Sequence, residues 1–233
     1  MKILAEFYRH TNQFINDAID RIIVEIHLKN QREGFKTIML SGCEPGVGTT
    51  TLSISLAISL ANAGWRTILI DGDLRKVSKY KRLNENITIG LSEFLSGTDL
   101  YQKAVYDTNH KNLYYMPSGG RVNNPISLLC SGRAEELIAQ LGNDYDYIIM
   151  DMPSITTSVD PTVLVNKMDG VILVAEYART DIRSVRESKE ILQRAGGNLL
   201  GIILNKVKGS EYGHMLKNFD YYKKQKYVTR RLR

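Results

Sequence analysis

The stretch "TIMLSGCEPGVGTTTLSISLA", Thr37 to Ala57, runs from an apolar segment through a glycine-rich turn into a segment rich in Ser, Ala and Leu. Read as buried strand, turn and helix, it has the layout of a phosphate-binding loop. That loop is usually written G-x-x-x-x-G-K-[ST]: backbone N–H groups wrap the phosphates, a lysine reaches the outer ones and a hydroxyl meets magnesium. Here the lysine position is Thr49, and the first glycine is Gly42, where strict spacing would put it at Cys43. Pro45, Gly46, Val47, Gly48, Thr49, Thr50 and Thr51 are the candidate phosphate-binding residues, with Thr50 as the metal-binding hydroxyl. On these residues alone three readings stay open: a nucleotide enzyme, a nucleotide binder that has lost its chemistry, and a look-alike turn.

Composition narrows the class. A chain of 233 residues, 43% hydrophobic and 24% charged, is long enough for one large α/β domain with its own core. No uninterrupted apolar run approaches the roughly 18 residues that span a bilayer, and Met1 to Arg9 lacks the apolar core of a signal peptide, which predicts a cytoplasmic location. Cys43 and Cys130 form neither a disulfide framework nor a metal-ligand cluster and read as reduced structural thiols. The net charge of +6 is unevenly placed: Lys206 to Arg233 hold nine Lys or Arg against Glu211 and Asp220, leaving 22 basic and 23 acidic residues before them. A basic tail of this kind is drawn to anionic lipid, nucleic acid or an acidic protein groove, or is simply solvated.

Apolar groups at Phe14, Ile15, Ala18, Ile19, Ile22, Ile23 and Ile26 follow a helical face over residues 14–28. "FKTIMLSG", "RTILIDGD", "YDYIIMDMPS", "DGVILVAE" and "LLGIILNKV" read as buried strands separated by helical stretches, and Gly64 is the expected stop of the helix after the loop. This pattern predicts an α/β fold with a mostly parallel sheet and helices on both faces. Ligands of such sheets bind at the carboxyl ends of the strands, which gathers Gly46, Asp71, Asp151 and Asn205 on one rim. Asp71 and Asp73 end one strand and Asp151 another. A nucleotide-bound magnesium ion takes only one or two carboxylates besides phosphate oxygens and water, so these strand-end carboxylates are candidates for its site.

With these pieces placed, the chain resembles the bacterial tyrosine kinase family of capsule and exopolysaccharide systems, a branch of the P-loop group that also holds the MinD and ParA ATPases. The resemblance spans roughly residues 14–227. "ILIDGDLRK" is similar to the family's second acidic motif, D-x-D-x-R, here Asp71, Asp73 and Arg75. "YDYIIMDMPS" resembles its Walker B segment, and "IGLSEFLSG" and "MPSGGRVNNPISLL" resemble two stretches that MinD and ParA proteins generally lack. "GIILNKV" resembles the strand whose asparagine, here Asn205, lies near the base in relatives.

The resemblance implies a P-loop NTPase domain over residues 1–207, with an N-terminal helical segment 1–30 and a flexible basic tail, 208–233. It implies ATP and Mg²⁺ as cofactors, Asp71 as base or orienter for a tyrosine hydroxyl, Asp73 and Asp151 with Thr50 around the metal, and Arg75 on phosphate charge. It makes the tail tyrosines Tyr212, Tyr221, Tyr222 and Tyr227 the phosphate acceptors, in trans on a neighbouring subunit. A membrane-embedded polysaccharide co-polymerase or activator is the implied partner, placing the chain at the inner face of the cell membrane. A homo-oligomer and an anionic membrane surface met by the tail are further partners; no specific nucleic acid is expected.

The chain departs from the family in two places. Thr49 replaces the loop lysine and Glu44 stands where MinD and ParA proteins carry their signature lysine, with Arg75 or Lys76 as substitute cations nearby. The E-x-x-R-x-x-R assembly helix aligns with Asp17, Asp20 and Ile23, without its arginines. Two alternatives therefore accompany the kinase reading: a catalytically silent nucleotide-binding regulator, and a MinD- or ParA-like positioning ATPase.

Overall fold

A computed structural model describes residues 4–9, 11, 13–75, 89–208 and 211; Lys76 and the four tail tyrosines lie outside the described residues. The elements in chain order are β1 (Leu4–Ala5), α1 (Gln13–Glu33), β2 (Thr37–Gly42), α2 (Thr49–Asn62), β3 (Thr67–Asp71), α3 (Leu91–Leu95), α4 (Tyr101–Ala104), β4 (Tyr106–Thr108), β5 (Leu113–Met116), α5 (Pro125–Leu129), α6 (Gly132–Asp144), β6 (Tyr147–Met152), α7 (Asp160–Leu164), β7 (Gly170–Glu176), α8 (Ile182–Arg194) and β8 (Leu199–Asn205). The strands form one sheet in the order β1-β4-β5-β3-β6-β2-β7-β8. Every pairing is parallel except β4 with β5.

The central strands are buried along their whole length because both faces of the sheet are covered. Alternation sends Tyr147 and Ile149 of β6 to one face, where Ile19, Ile23 and Ile26 of α1 and Leu56 and Leu60 of α2 cover them. Ile148 and Met150 go to the other face, against Phe94 of α3, Leu137 and Leu141 of α6 and Leu192 of α8. From β2 the chain crosses through α2 to β3 on one side, while β7 flanks β2 on the other. The carboxyl end of β2 is thus a switch point, the crevice where such sheets hold ligands.

All five strands expected from apolar runs are present, but β8, expected to be buried, lies at the sheet edge and is only half-buried, with Ile202 and Leu204 exposed; α2 ends at Asn62 with Gly64 in the left-handed region (φ 101°) just beyond. The N-terminal segment differs from expectation. The helix spans Gln13–Glu33, and the residues ahead of it include a short strand, β1; its Ala5 and the following Phe7 enter the core. Strands β4 and β5 also went unforeseen, since they are three and four residues long and carry no run of alternation.

The "IGLSEFLSG" and "PSGG" segments are joined here. The Glu93 carboxylate accepts from Gly90 N–H at 2.7 Å and Gly120 N–H at 3.0 Å, tying the start of α3 to the loop after β5. A Cβ at Gly90 would stand 2.5 Å from Gly119 N and 2.7 Å from Gly119 Cα. Because the obstacle is backbone, Gly90→Ala must push that loop off α3. It should destabilise the domain by about 1–3 kcal/mol, read as a lower urea midpoint with an unchanged m-value.

Candidate nucleotide site

The glycine-rich turn leaves the end of β2 and enters α2 through Gly46 (φ 79°) and Gly48 (φ 92°), conformations that a side chain would strain. Gly48 is the N-cap of α2 and offers no side chain to cap it, so the first N–H groups of the helix are left for a ligand. Neighbouring segments suture the turn in place. Cys43 N–H donates to Val174 O at 2.8 Å, Ile155 N–H to Gly42 O at 3.1 Å, and the Thr156 hydroxyl to Cys43 O at 2.7 Å. Burial pushes the Cys43 thiol pKa up, so it stays a neutral part of the core.

Register brings the carboxylates together: Asp71 at the end of β3 is the direct pairing partner of Asp151 on β6. Both are buried, at 6% exposure each, and a narrow cleft is lined by Phe7, Thr50, Ile54, Leu69, Asp71, Tyr115 and Asp151. The buried Ser53 hydroxyl, one turn into α2, donates to Asp151 Oδ1 at 3.0 Å and fixes that carboxylate toward the loop. Asp73 is also buried but is not among the cleft residues; its Oδ1 accepts from Arg75 N–H at 3.3 Å, while Asp71 Oδ1 accepts from Asp73 N–H at 3.1 Å. Two neighbouring carboxylates favour a cation between them. Among the described residues no group of three or more His, Cys, Asp or Glu could hold a metal alone.

Arg75 is placed differently from the phosphate role its motif implies. Its guanidinium grips Asp160 in a fork, Nε to Oδ2 and Nη2 to Oδ1, both at 2.7 Å, and Asp160 is fully buried. The hydrogen bond to Asp160 is the main cause that raises the Arg75 pKa. Reaching a phosphate would leave a buried carboxylate without its partner, so in this structure Arg75 anchors the Asp71–Arg75 turn to α7. Asn205 touches the loop directly, its Nδ2 donating to Val47 O at 2.8 Å. The next residue, Lys206, donates from Nζ to Gly46 O at 2.8 Å and to Glu176 Oε2 at 2.9 Å.

The comparisons agree with this geometry. A family model described as an AAA domain matches residues 35–193. The tyrosine-protein kinase CpsD of Streptococcus pneumoniae serotype 4 is 36% identical over 205 residues, covering 87% of each chain. The chain belongs to the bacterial tyrosine-protein kinase family. The kinase domain of Escherichia coli tyrosine kinase ETK superposes with a TM-score of 0.78 at 27% identity, covering 82% of this chain and 75% of that one. The septum site-determining protein MinD of Pyrococcus horikoshii, solved with Mg-ADP, shares the fold, with a TM-score of 0.61 at 23% identity over 73% of this chain and 70% of that one. Membership implies a bound nucleotide with a divalent metal, and the uncapped helix start, the glycine turn and the paired carboxylates fit such a group.

The sequence reading missed Ser53, Asp160, Phe7 and Lys206. Asp160 is distant in sequence from its partner, and Phe7 belongs to a segment too short to show a period. For Lys206 a signal existed, its place directly after Asn205, but it was counted with the tail. Removing the Arg75 fork tests its structural role. Arg75→Leu leaves Asp160 buried and unpaired, at a cost of about 2–3 kcal/mol, below the full value for a buried pair because the Arg75 side chain is 47% exposed. Chemical denaturation of wild type and variant measures it directly.

Proposed function

We propose that the chain is a tyrosine autokinase-like P-loop protein that binds ATP with Mg²⁺ and regulates capsular or exopolysaccharide production. The observation that supports this most is the direct pairing of Asp71 with Asp151 beside Thr50, at the mouth of a glycine loop that enters an uncapped helix. When bound, magnesium and ATP supply the electrophilic phosphoryl group and the screening of its charge. The protein's part is positioning. Asp151, set by Ser53, and Thr50 would hold the metal, with Asp73 as a further carboxylate near it. Asp71 accepts or orients the proton of an incoming tyrosine hydroxyl. Arg75 keeps the Asp71–Asp73 turn rigid through Asp160.

The acceptors in this reading are Tyr212, Tyr221, Tyr222 and Tyr227 of a neighbouring copy, presented on the basic tail. No helix among the described residues is long and apolar enough to cross a membrane, and the reading assigns the membrane step to a separate co-polymerase or activator. That partner would bring the chain to the inner face of the cell membrane, with the tail meeting anionic lipid.

Thr49 favours the second reading, a catalytically silent nucleotide-binding regulator. Losing one preorganised donor from a phosphoryl-transfer site typically lowers the rate about 100- to 1,000-fold. Binding suffers less, because the loop and helix N–H groups remain.

Purified full-length protein with ATP and magnesium, read by phosphotyrosine blot and mass spectrometry, separates the two. Phosphate on the tail tyrosines, lost when all four are changed to Phe, establishes the kinase. Nucleotide-dependent thermal stabilisation without phosphotyrosine establishes the regulator, and neither signal refutes both. In the same assay Thr49→Lys restores the missing ammonium and should raise turnover by about 100-fold; an unchanged measurable rate would show that another group has taken over the lysine's role.

A further inference from the structure

The phosphate loop is held from its outer side by Asn205 and by Lys206, a residue that no motif assigns. Gly46 O accepts from Lys206 Nζ at 2.8 Å and Val47 O accepts from Asn205 Nδ2 at 2.8 Å. Each carbonyl shares a planar trans peptide with the following N–H, so fixing one fixes the other in the opposite direction. Holding Gly46 O and Val47 O outward, toward β8, therefore turns Val47 N–H and Gly48 N–H to the opposite, inner side of the loop.

Three observations mark this contact as built rather than incidental. Lys206 sits in the left-handed region (φ 59°), costly for a residue with a side chain, and its N–H is held there by Asn205 Oδ1 at 2.9 Å. A Cβ at Gly48 would collide with Asn205 Nδ2, so that glycine admits the clasping amide as well as bending the turn. The Lys206 ammonium is anchored on its other side by Glu176 Oε2 at 2.9 Å, and Lys206 in turn holds the Glu176 carboxyl below its ordinary pKa.

We propose that Asn205, Lys206 and Glu176 form a clasp that preorganises the Gly46–Gly48 turn for the phosphates of a nucleoside di- or triphosphate, with Lys206 as a positioning residue. The inference rests on the nucleotide reading of this loop. Its consequence is that a loop without its own lysine is ordered before the ligand arrives, so binding does not bear the cost of ordering it. The strain at Lys206 is retained for that purpose.

The test uses Lys206→Gly, which relieves the left-handed strain and removes the ammonium together, and Lys206→Met, which keeps the stem. Calorimetric titration with Mg·ADP and with magnesium tripolyphosphate is paired with thermal unfolding of the ligand-free proteins. The clasp predicts that both variants bind both probes about tenfold or more weakly, as for loss of a hydrogen bond from a charged donor. It also predicts that ligand-free Lys206→Gly melts no lower than wild type. Wild-type affinity in the variants overturns the clasp. So does a loss confined to ADP, which would place Lys206 on the nucleoside, or a parallel fall in melting temperature and affinity for Lys206→Gly, which would make the residue merely structural. A flat titration for wild type itself refutes the nucleotide reading, and the clasp with it.

Discussion

A parallel sheet covered on both faces has no place for charge along its strands, so polar side chains can emerge only where the strands end. Here the in-register pairing of β3 with β6 and of β6 with β2 lines up three such ends. Asp71, Asp151 and the glycine turn then share one rim without any long side chain having to reach across. The backbone hydrogen-bond ladder sets their mutual distance, and the two apolar clusters on either face keep the ladder from shifting. A slip of one residue would exchange the side chains that each strand packs into the two clusters and break the fit of both, so the core that stabilises the fold also fixes the geometry of the site.

Charge within the rim is arranged with similar economy. Asp71 and Asp151 are concentrated where a metal would sit, and the fork between Arg75 and the fully buried Asp160 stiffens the turn that carries Asp71 and Asp73. The cation expected inside the loop is replaced by neutral Thr49, whereas Lys206 approaches the same loop from outside. This division favours retained phosphate binding over rapid phosphoryl transfer, since backbone N–H groups hold a ground-state phosphate while the missing ammonium would matter most as charge develops.

Much of this was legible in the sequence. Runs such as "TIMLSG" and "YIIMDM" are too apolar and too short to be anything but buried strands once followed by glycine or a carboxylate, and the Ala- and Ser-rich α2 announced close packing on the sheet. What was not legible depends on tertiary contact. Strands β1, β4 and β5 are defined by their partners rather than by any pattern of their own. The motif gave Arg75 a phosphate role, but only the fold reveals Asp160 within reach of its guanidinium. Lys206 looked like the first residue of a basic tail because charge counting along the chain cannot see that β8 delivers it to Gly46.

The most direct test of the account is a crystal structure of the chain with magnesium and a non-hydrolysable ATP analogue. The account predicts phosphates lodged between Pro45 and Thr50 against the start of α2, with the metal beside Thr50 and Asp151. An analogue bound elsewhere, or a loop that leaves the phosphates without contact to its N–H groups, would contradict it.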